Sequence, residues 1–242
     1  MKIKYLLVLL TGILFSCTDQ ASKIISEAID AHGGKAYQNI HVKFDFRGLH
    51  YDLENRQGVF SYQRIQKDSL NNEIKDLLTN DGFSRFVNGL QVSLPDSMAG
   101  KYERSVNSVA YFFFLPYGLN DEAVNKEFLG EVEIKDQSYS LLKVWFNEEG
   151  GGEDHQDVFM YWINKDSNLV DYLAYSYETD GGGVRFREAI KRHKLGEFTF
   201  QDYNNYGLED AAVPLESLAI MFENGKLPLL SEIRNENISL LK

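Results

Sequence analysis

Apolar residues change their spacing twice along this chain. Tyr5 to Phe15 is an almost unbroken apolar run. After it, Ile25, Ala28, Ile29 and His32 recur at i, i+3, i+4 and i+7, the repeat of one helix face, and Gly33-Gly34 supplies a C-terminal stop. From His41 to Leu53 the period drops to two. Phe44 and Phe46 alternate there with Lys43, Asp45 and Arg47, which predicts a strand with one wet face. Similar aromatic and β-branched runs recur at Gly58 to Gln66, Phe83 to Val87, Glu131 to Lys135, Tyr139 to Phe146, Val158 to Ile163 and Leu169 to Glu178. Others follow at Val184 to Lys194, Glu197 to Tyr203 and Leu229 to Leu240.

Turn signals separate most of these runs: Asn80-Asp81-Gly82, Asn88-Gly89, Gly150-Gly151-Gly152, Asn164 to Asn168, Asp180 to Gly183 and Asn224-Gly225. Many strands with hairpin-length connections predict a large, mainly antiparallel sheet, and so long a meander curls instead of staying flat. One helical passage interrupts it between Pro95 and Pro116. There Met98, Tyr102, Val106, Val109 and Phe113 share a face, and Tyr111 to Leu115 is apolar nearly all round, so the end of this helix must be covered. A third helix is predicted from Leu215 to Glu223, with Pro214 at its first position and Gly225 closing it. The expected fold is therefore mainly β with a few helices: a large curved antiparallel sheet packed against two or three helices.

The opening segment carries the clearest functional signal. Lys2 and Lys4 form a short positive region ahead of the apolar run, which at about a dozen residues is too short to span a bilayer core of ~30 Å as a helix. The run ends in Leu14-Phe15-Ser16-Cys17, which resembles the lipobox cut by lipoprotein signal peptidase, although Phe15 is bulkier than the usual residue there. The expected organisation is a signal peptide over 1–16, a lipidated Cys17 with a short tether over 17–21, and a single β-rich domain over 22–242. The alternative is a plain secretory signal or an uncleaved anchor beside an incidental cysteine.

Composition narrows the chemistry. Cys17 is the only cysteine, so the domain after it has no disulfide, no cysteine nucleophile and no thiolate metal site. Acyl chains on that cysteine stabilise membrane attachment by ~0.8 kcal/mol per buried CH₂, without a spanning helix. Loss of residues 1–16 removes two lysines and no acids, moving the formal charge from -11 to -13. An acidic chain without a basic block is poorly matched to phosphate backbones, and no nucleic-acid partner is expected. Thr18-Asp19-Gln20 lacks a strong acidic export run, which points to the periplasmic face of the outer membrane.

Catalytic and metal signals are thin. His32, His41, His50, His155 and His193 include no pair at zinc spacing and read as solvated or helix-capping residues. Glu153-Asp154-His155-Gln156-Asp157 collects possible hard-metal oxygens but lacks the alternating ligands and central glycine of a calcium loop. There is no Gly-x-Ser-x-Gly elbow, phosphate loop or dinucleotide fingerprint, and the 36 acidic residues single out no glycosidase pair. No cofactor and no metal are expected, and a non-enzymatic role is favoured.

The lipoprotein signal, the helix ending in Ala31-His32-Gly33-Gly34, the strand-rich body and a last strand of the Ser231-Glu232-Ile233 type resemble uncharacterised lipoproteins of Bacteroidota. More distantly, the layout is similar to the LolA/LolB-like superfamily. That resemblance implies a half-open barrel, a strongly curved antiparallel sheet closing over helices, which holds acyl chains or lipoproteins. No ligand-contacting residue of those carriers maps onto a definite position here. Aromatics, 13% of the chain, serve either a core or an apolar cleft. If a cleft lies between the concave sheet and the Pro95 to Pro116 helix, Tyr102, Val109, Phe113, Trp145 and Trp162 are the candidate ligand contacts. Two classes of function remain open. One is an envelope binding protein for a hydrophobic or acylated ligand. The other is an envelope hydrolase with unassigned carboxylates, or a structural or interaction lipoprotein. Oligomeric state is not legible.

Overall fold

A computed structural model describes residues 14–149, 157–177 and 182–241, with side chains from Gln20 onward. The first element among the described residues is helix α1 (Leu14–His32), whose Ala21, Ile25, Ala28 and His32 are fully buried, at the spacing the sequence predicts. Residues 17–21, expected as a tether, are helical. Gly33 ends the helix: its φ of 147° suits glycine, and a Cβ there would meet Tyr37 at 3.0 Å and Phe198 at 3.1 Å.

Fourteen strands form two seven-stranded antiparallel sheets among the described residues. The first, sheet A, carries β1 (Asn39–Phe46), β2 (Leu49–Arg56), β3 (Val59–Lys67), β4 (Glu73–Thr79), β5 (Gly82–Val87) and β6 (Leu90–Val92) in sequence order. Helix α2 (Asp96–Phe114) follows and leads to sheet B, made of β7 (Val124–Ile134), β8 (Gln137–Phe146), β9 (Val158–Asn164), β10 (Val170–Tyr177), β11 (Gly183–Leu195) and β12 (Phe198–Leu208). After α3 (Leu218–Glu223), β13 (Leu229–Ile233) completes sheet B beside β12, and β14 (Glu236–Leu240) completes sheet A beside β1. The corner between these last two strands is pinned by Asn235, which donates its N–H to Asp202 Oδ1 at 2.9 Å and Nδ2–H to the Gln201 carbonyl at 2.9 Å.

The single strand expected from His41 to Leu53 is a hairpin. Arg47 (φ 51°) and Gly48 (φ 74°) turn the chain between β1 and β2, which pair from Asn39 with Arg56 to Phe46 with Leu49. The alternation changes phase at this turn, from even positions (Val42, Phe44) to odd ones (Tyr51, Leu53), and that phase change is the boundary a single strand over this stretch overlooks. The Leu229 to Leu240 run likewise splits at Arg234-Asn235. Strands β4 and β6 are weakly marked in the sequence: β4 interrupts its inward row of Ile74 and Leu78 with Asp76, which is buried, and β6 is three residues long.

Three apolar clusters result. Ala21, Ile25 and Ala28 of α1 pack with Leu142, Val144, Tyr161 and Leu173 on one face of sheet B. Trp162, Tyr172, Val184 and Phe186 lie on the opposite face, under Leu215, Leu218 and Ala219. Phe44, Tyr51 and Leu53 of sheet A meet Phe113 and Phe114 of α2, together with Phe198 and Phe200 of β12, so α2 is wedged where the two sheets converge.

Candidate functional site

Helix α2 crosses sheet A along one row of directly paired residues. Phe44 opposes Tyr51, Tyr51 opposes Arg64, Arg64 opposes Asp76, and Asp76 opposes Arg85. Four strand spacings of ~4.8 Å make this row about 19 Å long. Tyr102 to Phe113 spans about 16 Å of helix at 1.5 Å per residue, close enough for one stripe of α2 to follow the row. It does so with matched chemistry. The Tyr102 ring covers the Arg85 guanidinium at 3.5 Å, Ser105 Oγ accepts a hydrogen bond from Arg64 Nη1 at 2.7 Å, and Phe113 stacks on Phe44. Beneath the helix, Asp76 accepts from both arginines: Arg64 Nη2 at 2.6 Å and Arg85 Nε at 2.5 Å. The Asp76 side chain is 1% exposed, so the carboxylate is stable there only because two cations flank it.

Beside this contact the two sheets part and leave a cavity of about 540 Å³. Sheet A contributes Phe46 and Leu49, α2 contributes Val109 and Phe112, and β13 contributes Leu230 and Ile233. Sheet B contributes Tyr175, Arg187, Gln201, Tyr203 and Asn205. Four arginines, Arg47, Arg64, Arg185 and Arg187, line the space, and no carboxylate does among the described residues. In a chain of net charge -11 this is a localised positive interior. Burial raises the Tyr51 and Tyr203 hydroxyls above the usual phenol range, so both stay neutral and the charge of the cavity is that of its arginines.

Of the sequence candidates, Val109 and Phe113 line the cavity, whereas Tyr102 sits at the far end of the stripe over Arg85. Trp162 is turned the other way. It is 1% exposed on the opposite face of sheet B, with its ring 5.5 Å from Phe186. Trp145 shares that face, two residues on from Lys143 and four from Leu141, because side chains alternate along β8. The tryptophans are therefore not brought together with the α2 stripe. His32, expected to be solvated or capping, is fully buried between α1 and sheet B. His41 and His50 each face a carboxylate instead, at 2.7 Å from Asp52 and 2.8 Å from Asp45. Glu153 to Gln156 lie outside the described residues. Among the described residues no group of three or more His, Cys, Asp or Glu could hold a metal ion.

The arginines are what sequence reasoning missed. In Val184-Arg185-Phe186-Arg187 the apolar residues and arginines alternate as in any half-exposed strand, and the arginine side reads as the wet face. In the fold it is the inner one. A sheet covered on both sides was the missing information.

The curled antiparallel sheets wrapped over helices define a LolA-type architecture. The chain is similar to the LolA superfamily protein NE2245 from Nitrosomonas europaea at TM-score 0.50 and 10% identity, over 92% of this chain and 94% of that one. A putative outer membrane lipoprotein-sorting protein domain from Vibrio parahaemolyticus is similar at TM-score 0.48 and 8% identity, over 93% and 94%. A DUF1329 family protein from Desulfovibrio piger is similar at TM-score 0.45 and 9% identity, over 93% of each chain. No functionally curated protein matches. By sequence the chain belongs to a family of unknown function, DUF6503, whose model matches residues 2–235.

Proposed function

We propose that this is a lipid-anchored envelope protein that binds a hydrophobic or acylated ligand in the cavity beside α2. The observation that carries the reading is the cavity itself. At about 540 Å³ it falls within the ~300–1,000 Å³ of small-molecule pockets, and its apolar wall comes from both sheets and the helix. Shared architecture with the LolA superfamily supports a ligand-holding role by analogy, since one fold hosts many functions. The lipobox-like Leu14-Phe15-Ser16-Cys17 supports processing before Cys17 and attachment to a membrane through its lipid, and Thr18-Asp19-Gln20, without an acidic export run, supports the periplasmic face of the outer membrane as location. Among the described residues no helix is long and apolar enough to cross a membrane. A hydrolase reading needs converging carboxylates, and the cavity offers arginines.

Native mass spectrometry of the purified domain, released gently from cells, tests the binding role. A stoichiometric apolar adduct that disappears after organic extraction and returns on adding lipid is the expected result. A chain that carries no adduct and takes up no lipid after extraction is not a carrier of this kind.

A further inference from the structure

We infer that the ligand is a single-chain amphiphile with an anionic head, a carboxylate or a phosphate, and that Arg187 receives the head. This inference rests on the reading of the cavity as a ligand site and specifies what enters it. Arg187 is 8% exposed, which makes it nine-tenths buried, yet no carboxylate lies within ion-pair distance among the described residues. Its guanidinium lies over the Phe112 ring at 3.7 Å, and Nη2 donates to the Tyr175 hydroxyl at 2.9 Å. The Nε–H, shielded from solvent, has no hydrogen-bond partner.

Arginine keeps its charge at any physiological pH, so it cannot relieve an unpaired burial by losing a proton. An uncompensated buried cation is costly, and the guanidinium fork matches a carboxylate or phosphate edge through two parallel N–H donors. The other three cavity arginines are differently placed: Arg64 is held by Asp76, Arg185 donates Nη1–H to the Val184 and Leu208 carbonyls, and Arg47 is exposed to solvent with its guanidinium over the Phe46 ring at 5.1 Å. Two further buried atoms on the cavity wall lack partners, Gln201 Oε1 (residue 5% exposed) and Asn205 Oδ1 (residue 9% exposed). Both are acceptors and suit a hydroxyl or a water beside the head, not the anionic oxygens themselves. From Arg187 the cavity runs on to Val109, Leu230 and Ile233, an apolar surface that suits a chain. Its volume sits in the lower half of the pocket range and favours one chain over several.

The test uses the full mature chain from residue 17, with Cys17→Ser so that it carries no lipid of its own. After extraction it is titrated calorimetrically with laurate, dodecyl phosphate, dodecanol and dodecylamine. A charge-assisted hydrogen bond at a desolvated arginine predicts that at least one anion binds roughly tenfold to a hundredfold more tightly than dodecanol, with dodecylamine weakest. Laurate ahead of dodecyl phosphate identifies a carboxylate head, and the reverse a phosphate head. Arg187→Met, which keeps the apolar contact with Phe112, removes the preference and leaves dodecanol binding in place. Equal affinity for anion and alcohol in the parent protein overturns the anionic head while leaving the cavity reading intact. Failure of all four probes to bind overturns both. A preference that survives in Arg187→Met overturns the assignment to this side chain. If that variant does not fold, the parent titrations decide the head and Arg187→Lys, which retains charge but not the fork, reads the side chain through a reduced preference.

Discussion

Phe113 on α2 lies flat against Phe44 of β1, with ring centroids 3.9 Å apart and planes 2° from parallel. On its other side Phe200 of β12 stacks at 4.5 Å and 19°. One side chain of the helix is thus held between both sheets. Phe113→Ala is expected to destabilise the protein by ~3 kcal/mol, the low end for a buried phenylalanine because the ring also borders the cavity. Phe113→Asp costs more, since its carboxylate would be buried without a cation. Urea unfolding midpoints check both. A shift within error for the pair would mean that α2 is not packed as described.

The two arginines that hold Asp76 also hold α2, through Ser105 and Tyr102. Asp76→Ala leaves two buried cations facing each other and is expected to cost ~3–5 kcal/mol, the usual effect of removing one partner of a buried ion pair. Because the group is sealed from solvent, raising the salt concentration should not recover the loss. Replacing the whole set by Arg64→Met, Asp76→Leu and Arg85→Met together should be far milder than Asp76→Ala alone. A triple variant as unstable as the single one would show that the row matters through shape and not through charge.

Acid should weaken the fold through His32. Its Nδ1–H donates to the Thr199 carbonyl at 3.1 Å, its Nε2 accepts from the Val170 N–H at 3.2 Å, and burial lowers its pKa to about 4 from the usual 6.5. Between those two values the unfolded chain binds the proton and the folded chain does not. The contribution is therefore complete above about pH 6.5 and is lost progressively as the pH falls toward 4. The difference in pKa corresponds to roughly 3 kcal/mol. Stability measured at closely spaced pH values for the parent and His32→Gln isolates it. Parallel pH curves for the two proteins would rule out this histidine as the acid-sensitive group.

Anchoring is tested by Cys17→Ser. A serine hydroxyl cannot form the thioether that precedes lipoprotein cleavage, so lipid labelling should vanish and precursor or mislocalised protein should accumulate. A processed, acylated membrane protein from the Cys17→Ser gene would remove the lipoprotein assignment.

Trp162 separates core from site. Trp162→Ala is expected to cost ~3–5 kcal/mol through loss of a fully buried ring. Trp162→Phe should leave ligand affinity unchanged, since the ring faces away from the cavity. Weakened lipid uptake in a Trp162→Phe protein of parent stability would put the site on the other face of sheet B.

Periodicity made much of this architecture legible. The buried face of α1 and the alternating strands of sheet A follow from apolar spacing because those elements bury one side, whereas β8, β9 and β10 bury both sides and show as continuous apolar runs. What periodicity could not carry was pairing between distant residues. Asp76 looks like a solvent residue until Arg64 and Arg85 are seen on the neighbouring strands, and β4 was missed for that reason. Arg187 looks like the wet side of β11 until α2 is placed over it. The tryptophans mislead in the opposite sense: their size marks them as ligand contacts, and Trp162 spends it filling the core under α3.

The corner at Asn235 bears on how the protein reaches its native state. Val42 in β1 pairs with Leu240 in β14, and Tyr203 in β12 pairs with Ile233 in β13, so the outermost partner in each sheet is supplied by the last stretch of chain. Contacts that bridge nearly the whole sequence slow folding, because the intervening loop must lose its freedom first. Until residues 229–240 dock, β1 and β12 both present unpaired edges, open to another unfinished copy of the same chain. The period before residues 229–240 dock is therefore when this protein is most exposed to self-association, and when a chaperone holding those edges would have its greatest effect.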